Sequence, residues 1–265
     1  MSEVLEFDFA GQHFRLDSAG GADLVARRMQ EGGYEAPLPM LVMAIVARTT
    51  GLMLDVGANN GLYSILAAKA RPDVRCVAFE PFPAALDVLR RNITLNGLVE
   101  RVTIHDVALS DSAGVTTMYI PDQGHGLLET SATLEPEFQP FAEKREVRRV
   151  RMDDIALPGS VSLIKVDVEG HETAFLRGAT ALLDRDRPII FAEMMSTAAH
   201  NFEACTQLVA SRGYLLLRLR AEHVLLDRKL FYDHAAWNWG LIPYEKLPLF
   251  LECCRTHGLE VYQPM

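Results

Sequence analysis

The chain has 265 residues, with 26 lysines and arginines against 35 aspartates and glutamates, and its formal net charge is −9. Apolar residues make up 49% and charged residues 23%, a globular composition that excludes wholesale disorder. Because nucleic acids and anionic membranes are bound by clustered lysines and arginines, the acidic balance predicts no nucleic-acid partner.

The sequence contains no pattern typical of export or membrane insertion. The first residues, MSEVLEFDF, lack the basic and apolar regions of a signal peptide. The longest apolar stretch, residues 36–47, is shorter than the roughly 20 residues that a membrane-spanning helix needs. Cys76, Cys205, Cys253 and Cys254 show no metal-ligand spacing. We expect a cytoplasmic protein without a membrane span, whose oligomeric state stays open, a homodimer being one option.

Short apolar runs alternate along the chain with helical patterns, which predicts βαβ units and a parallel sheet. The predicted strands are 52–56, 74–80, 102–107, 115–120, 161–168, 188–193 and 214–219, with one or two more in 223–242. The predicted helices are 62–70, 83–96, 171–183 and 202–212. We expect a Rossmann-like, doubly wound α/β fold with a mostly parallel seven-stranded sheet and helices on both faces.

Two segments fall outside this alternation. Residues 1–50 predict an N-terminal extension packed on the core, and residues 51–265 form the predicted domain. Within the domain, residues 121–146 lack periodicity, and irregular segments of this length are usually functional. We expect residues 121–146 to be a substrate or lid loop, with His125 a candidate lid residue or a plain loop histidine.

Five successive predicted strands reach an acid at or near their carboxyl ends, namely Asp55, Glu80, Asp106, Asp167 and Glu193. Ligands of open parallel sheets bind outside the carboxyl ends of the strands. Buried acids are costly unless they are paired, so a row of them predicts a ligand rich in positive charge or hydrogen-bond donors. The alternative is that each acid caps the following helix.

The loop between Asp55 and Gly61 supports a nucleoside ligand. Glycine allows the backbone to turn sharply and to approach a ligand, and here Gly57 and Gly61 are four residues apart. This spacing differs from the G-x-G-x-x-G pattern of dinucleotide folds. Glu80 lies 19 residues beyond Gly61 at the next strand end, where an acid can accept both ribose hydroxyls.

Together these motifs resemble the FkbM family of class I S-adenosylmethionine-dependent methyltransferases. The resemblance rests on residues 54–64 (LDVGANNGLYS), 79–81 (FEP), 107–111 (VALSD), 152–155 (MDDI), 163–172 (LIKVDVEGHE), 188–193 (PIIFAE) and 238–243 (NWGLIP). It implies that residues 51–265 form a class I methyltransferase domain. The family's acceptor is a hydroxyl group, commonly on a sugar or a polyketide-type natural product.

The resemblance also implies a binding site for S-adenosylmethionine. Its residues would be Asp55, Gly57, Ala58, Asn59, Gly61, Tyr63, Glu80, Pro81, Asp106, Val107, Ala108 and Asp167. The glycine loop would cradle the methionine part, while Asp55 would order that loop and face the amino group. Glu80 would bind the ribose. Asp106 would accept a hydrogen bond from the adenine amino group, and the amides of Val107 and Ala108 would face the ring.

Asp167, His171 and Glu193 are the candidate catalytic residues. Asp167 is the first candidate for a base that removes the acceptor's proton. His171 is a second candidate for the base, or it orients the acceptor, and the alternative is an exposed histidine in the first helical turn. Asp167 and Glu193 could instead hold Mg²⁺, which is not favoured because only two well-placed carboxylates are visible.

Further segments bear on the acceptor. Residues 144–151 predict a strand with a solvated basic face, or a rim for an anionic acceptor. Tyr232, Trp237 and Trp239 predict core packing or an aromatic wall. The sequence favours O-methylation of a sugar, glycan or natural-product small molecule. The alternatives are an N-methyltransferase, a nucleotide-dependent oxidoreductase and a non-catalytic cofactor-binding module.

Overall fold

A nine-stranded β-sheet forms the centre of the molecule, for which a computed structural model describes residues 3–122 and 131–262. Numbered in chain order, its strands lie across the sheet as β14 (Glu260–Tyr262), β12 (His223–Asp227), β11 (Tyr214–Leu219), β13 (Asn238–Pro243), β10 (Ile189–Glu193), β9 (Val161–Val166), β3 (Leu52–Val56), β4 (Cys76–Phe79) and β5 (Val102–His105). The strands from β10 to β5 are parallel, and β13 is antiparallel to both neighbours. The mostly parallel α/β sheet is confirmed.

The expected count of seven strands is wrong for two reasons. At one edge the sheet is extended by β12, which lies within the predicted segment 223–242, and by β14, whose three residues are too few to give a periodic signal. The predicted strand 115–120 belongs instead to a separate three-stranded sheet, ordered β6 (Ala108–Leu109), β8 (Glu143–Val150) and β7 (Gly114–Ile120). Because β8 begins at Glu143, the last four residues of the predicted loop 121–146 form part of a strand. His125 lies outside the described residues.

Helices cover both faces of the main sheet, as predicted. One face packs against α2 (Leu38–Val46), α3 (Leu62–Ala70), α4 (Pro83–Leu95) and α8 (Leu247–Thr256). The other packs against α5 (Glu172–Gly178), α6 (Thr180–Asp186) and α7 (Phe202–Ala210). None of the helices within residues 3–122 and 131–262 combines the length and the apolar character needed to cross a membrane.

The strand order reverses between β3 and β9. From β3 the chain builds outward through β4 to β5, whereas β9 and β10 lie on the other side of β3. Every residue of β3, β9 and β10 is buried, as expected for parallel strands that are covered on both faces. A reversal of this kind leaves a crevice at the carboxyl ends of the strands, where ligands of such folds bind.

The N-terminal residues pack against the same core as α3 and α8. They form a hairpin of β1 (Val4–Phe9) and β2 (Gln12–Asp17), followed by α1 (Leu24–Gln30) and α2. The hairpin is anchored to α4, because Asn92 Oδ1 accepts a hydrogen bond from the Asp17 amide at 2.7 Å. The segment between α1 and α2 is thereby held beside the carboxyl ends of the strands, where it lines the cavity described below.

The close approach of β3 to β9 depends on Gly57. A Cβ atom at Gly57, where φ is +75°, would lie 1.8 Å from the carbonyl oxygen of Asp167. Gly97 also has a positive φ, of +67°, but a Cβ there meets nothing within 4 Å. We expect Gly57→Ala to lower the free energy of unfolding by about 1–3 kcal/mol more than Gly97→Ala, because only the first is overpacked. Urea denaturation measures this difference, and equal losses would contradict it.

Candidate active site

A cavity of about 280 Å³ opens at the carboxyl ends of the parallel strands. Most of the predicted site residues line it, namely Gly57, Ala58, Asn59, Tyr63, Glu80, Pro81, Val107, Ala108, Asp167, His171 and Glu193. Three predicted residues, Asp55, Gly61 and Asp106, lie outside this lining. The cavity therefore brings together residues that are up to 136 positions apart in the chain, from Gly57 to Glu193.

The glycine loop after β3 is held by the neighbouring strand β4. The amides of Gly57 and Ala58 both donate to the carbonyl oxygen of Phe79, each at 3.0 Å. The amide of Asn59 donates to Glu80 Oε2 at 2.8 Å. These bonds fix the loop, and they also leave its first three amides engaged within the protein.

Asp55 and Gly61 hold the two ends of this loop in place. Asp55 is 1% exposed, and its Oδ2 accepts hydrogen bonds from the amide and the hydroxyl of Ser64, at 2.9 and 2.7 Å. Burial raises the pKa of Asp55 to about 6, although the Ser64 bonds oppose this shift. Gly61 caps α3 with φ +85°, and its missing Cβ makes room for the Leu89 side chain. Both residues position the loop rather than face the cavity.

Glu80 joins the glycine loop to the segment after β4. Its Oε2 holds the Asn59 amide, and its Oε1 accepts from the Phe82 amide at 2.8 Å. Burial raises the pKa of Glu80 to about 7, against the lowering effect of these two bonds. Each carboxylate oxygen has two lone-pair sites, so Glu80 retains acceptor capacity towards the cavity.

The strand end after β5 is arranged differently from the prediction. Asp106 directly follows β5 and is exposed, whereas Val107 and Ala108 are buried and line the cavity. The acid at this strand end therefore lies outside the cavity lining, and the adjoining wall is apolar.

Lys165 places a buried positive charge at the floor of the cavity. It is 1% exposed, and its Nζ lies 3.1 Å from Asp167 Oδ2 and 5.2 Å from the centre of the Tyr63 ring. Burial alone would raise the pKa of Asp167, but the charge of Lys165 and the contacts with Glu193 and Lys165 together outweigh burial and hold that pKa below its usual value. Asp167 is therefore ionised at neutral pH.

Glu193 behaves in the opposite way. Burial, followed by the negative charge of Asp167, raises the pKa of Glu193 well above its usual value. The two acids are neighbours, and the raised pKa favours a proton on Glu193, which avoids two adjacent negative charges. Glu169 completes a cluster in which one carboxylate oxygen of each acid lies within 4.8 Å of the others. The sequence did not single out Glu169.

Tyr34 and Glu35 form a wall that sequence reasoning missed. Both line the cavity, although they precede α2 and follow no strand. The Glu35 carboxylate accepts hydrogen bonds from the hydroxyls of Tyr63 and Tyr34. Burial raises the pKa of Glu35, and the charge of Lys165 opposes the rise. The only signal in the sequence was Tyr63, whose hydroxyl needs a partner when the ring is buried.

His171 is buried, and both of its ring nitrogens are engaged. Nδ1 lies 2.6 Å from Glu135 Oε1, and Nε2 lies 2.9 Å from Ser110 Oγ. The alternative of an exposed first-turn histidine is wrong, since His171 is 8% exposed. The prediction of a base is also not supported, because a proton acceptor needs a free nitrogen towards the ligand. His171 instead joins the segment of Glu135 to α5.

The aromatic residues near the end of the chain take separate positions. Trp237 is 38% exposed and lines the cavity, whereas Trp239 is fully buried on β13 and Tyr232 lies outside the lining. The Trp237 carbonyl oxygen accepts from the Met194 amide at 2.8 Å, which fixes it beside the end of β10. Residues 143–150 form β8 with a largely exposed basic face, as predicted.

Comparison with known proteins shows which part of the chain matches a known family. Residues 55–216, more than half of the chain, match the family model of the methyltransferase FkbM domain. Methyltransferase sdnD of Sordaria araneosa is 31% identical over 158 residues, covering 48% of this chain and 59% of sdnD. The 31-O-demethyl-FK506 methyltransferase FkbM of Streptomyces tacrolimicus is 28% identical over 170 residues, covering 54% of this chain and 64% of that protein. The matches span less than two thirds of either relative.

A solved structure supports the fold over most of the chain. The O-methyltransferase from Bacillus cereus, in complex with SAH, is 12% identical, with a TM-score of 0.50 over 85% of this chain and 86% of that chain. At this identity the likeness concerns the fold alone. The family match, in contrast, includes the glycine loop, Glu80 and the acids that end β9 and β10. The chain therefore belongs to the family of proteins that contain a methyltransferase FkbM domain.

Proposed function

We propose that the protein transfers the methyl group of S-adenosylmethionine to a hydroxyl of a sugar, a glycan or a natural-product small molecule. The observation that carries this proposal is the Lys165–Asp167 pair, because it keeps an ionised carboxylate in a cavity at the switch point of the sheet. Family membership supports methyl transfer, and one relative is named for methylation at an oxygen.

The hydrogen-bond acceptors and the apolar surface of the cavity fit S-adenosylmethionine. This cofactor offers a sulfonium, an ammonium, a ribose diol and an adenine amino group, which are mainly positive charges and hydrogen-bond donors. The cavity offers acceptors: Glu80 has spare lone pairs, and the buried Oδ1 of Asn59 has no hydrogen-bond partner among the described residues. Val107 and Ala108 supply apolar surface for adenine.

Asp167 is the proposed base. When bound, S-adenosylmethionine supplies an electrophilic methyl group, and the acceptor hydroxyl becomes a better nucleophile as it loses its proton. Asp167 accepts that proton on a carboxylate oxygen, since Lys165 keeps it ionised. Glu193 holds a proton beside it, so Asp167 carries the negative charge of the pair.

The acceptor lies beside the side chain of Trp237. Trp237 presents an indole ring at the cavity and suits the apolar face of a sugar or a natural-product ring. N-methylation of a small molecule is the second candidate, favoured where the acceptor is an amine that needs little help from a base. A nucleotide-dependent oxidoreductase is disfavoured because the loop lacks the G-x-G-x-x-G spacing.

Mg²⁺ is not favoured at the acid cluster. One oxygen of Asp167, Oδ2, already lies 3.1 Å from the ammonium of Lys165. A divalent ion there would stand beside a buried positive charge, and the two would repel each other.

Binding of S-adenosylhomocysteine tests the cofactor directly. We expect calorimetry to detect this ligand and not NADPH, and Glu80→Gln to weaken its affinity about 10-fold or more, because an acceptor for the ribose hydroxyls is replaced by an amide group. The exposed residue Glu100 gives the control, Glu100→Gln, which should bind as the wild type does. Binding of NADPH alone would overturn the proposed function.

The role of Asp167 is tested by Asp167→Asn. We expect kcat to fall about 10²–10⁴-fold, because the amide accepts no proton, while affinity for S-adenosylhomocysteine changes little. Transfer of labelled methyl from S-adenosylmethionine to a panel of sugars, oligosaccharides and macrolide alcohols provides the assay. The exposed Asp87 supplies the control, Asp87→Asn. An unchanged kcat with amine acceptors would favour N-methylation.

Lys165 should set the acidic limit of activity. Asp167 must be ionised to act, and because Lys165 lowers the pKa of Asp167, wild-type activity is lost only as the pH falls through that lowered pKa. In Lys165→Met, burial without the ammonium raises the pKa, so the acidic limb of the kcat profile should move to higher pH. Lys165→Arg, which keeps the charge, should retain the wild-type limb. If the acidic limb of the kcat profile does not move in Lys165→Met, Lys165 does not control the ionisation of Asp167.

A further inference from the structure

Arg28 lines the same cavity from a segment that lies outside the family match. Leu24, Val25 and Arg28 all face the cavity from α1, as expected for residues separated by three or four positions on a helix. The side chain of Arg28 is exposed, and it makes no ion pair or hydrogen bond within residues 3–122 and 131–262. A cation at a ligand cavity without a partner calls for an explanation.

The position of α1 is fixed relative to the glycine loop. Asp23 is 1% exposed and caps α1, since its Oδ1 accepts from the Ala26 amide at 3.0 Å. Its Oδ2 accepts from Asn60 Nδ2 at 2.8 Å, and Asn60 belongs to the glycine loop. Arg28 is therefore held about one helical turn from the point where α1 is bonded to that loop.

The glycine loop has few donors left for an anion. Besides the amides of Gly57, Ala58 and Asn59, the Gly61 amide donates to the Ala58 carbonyl at 2.8 Å. The next amide, that of Leu62, donates to Asn60 Oδ1 at 3.1 Å. Of the loop amides, that of Asn60 alone has no acceptor among the described residues, and a carboxylate with two oxygens therefore needs a side-chain donor as well.

The charges that line the cavity point to the same residue. Its acids are Glu35, Glu80, Asp167, Glu169 and Glu193, and its cations are Lys165 and Arg28. Lys165 is buried and paired with Asp167, so Arg28 is the cation accessible to a ligand among the described lining residues. The acids suit the ammonium, the sulfonium and the ribose of the proposed cofactor, but none of them can hold its carboxylate.

We propose that Arg28 binds the carboxylate of the methionine part of S-adenosylmethionine. This inference rests on the proposed function and adds a cofactor-binding residue to it. The guanidinium presents a planar fork of donors that matches a carboxylate through two parallel hydrogen bonds. Arg28 thus fixes the end of the cofactor opposite to adenine, and it thereby places the methyl group relative to Asp167.

Paired ligands test this assignment on the intact protein. S-adenosylmethionine and decarboxylated S-adenosylmethionine differ only in the carboxylate, and calorimetry gives the affinity of each. We expect Arg28→Ala to weaken S-adenosylmethionine about 10-fold or more and to change the decarboxylated ligand less than about 2-fold. Arg28→Lys should recover part of the loss. Arg27, on α1 but outside the cavity lining, provides the control Arg27→Ala, which should affect neither ligand.

The outcomes separate this inference from the proposed function. If the wild type binds neither ligand, the proposed function itself fails. If the wild type binds S-adenosylmethionine but Arg28→Ala does not weaken it, or weakens both ligands equally, the carboxylate contact is refuted. Normal cofactor binding by Arg28→Ala, with loss of transfer to acidic acceptors only, would assign Arg28 to the acceptor and overturn the inference.

Discussion

Lys165 lies on the central strand β9 with its ammonium removed from water, and a charge in that position must be compensated. The compensation comes from separate parts of the chain, because Asp167 is the ion-pair partner of Lys165 and Glu35 interacts electrostatically with it from the segment before α2. Removing one partner of a buried ion pair typically costs about 3–5 kcal/mol. The requirement to neutralise one lysine therefore links the end of β9 to the segment before α2.

The two halves of the cavity have different origins in the sequence. Residues 55–216, which match the FkbM domain, supply the glycine loop, Glu80 and the end of β9. The wall formed by Arg28, Tyr34 and Glu35 precedes that match, and it is attached through the bond between Asp23 and Asn60. The site is complete only when the N-terminal segment is docked, so folding of that segment and formation of the cavity are coupled.

Physical reasons explain which parts of the site could be predicted. Glu80, Asp167 and Glu193 were found because parallel strands end at one edge, so that acids far apart in sequence meet in space. Lys165 was overlooked, although a lysine inside an apolar strand run already signals a buried counter-charge. Glu35 and Glu135 could not be found, because their partners Tyr63 and His171 are 28 and 36 residues away and no periodicity links them.

The segment after residue 130 is fastened to the loop that follows β9 at two points. Thr133 Oγ1 donates to the Glu169 carbonyl at 2.6 Å, and Glu135 bonds to His171. Thr133 also pairs with Tyr119 of β7, so both ends of the chain between Tyr119 and Thr133 are anchored to rigid elements. Because these anchors are tied to β7 and to the loop after β9, we expect an exchange of residues between them to leave the carboxylates of the floor in register.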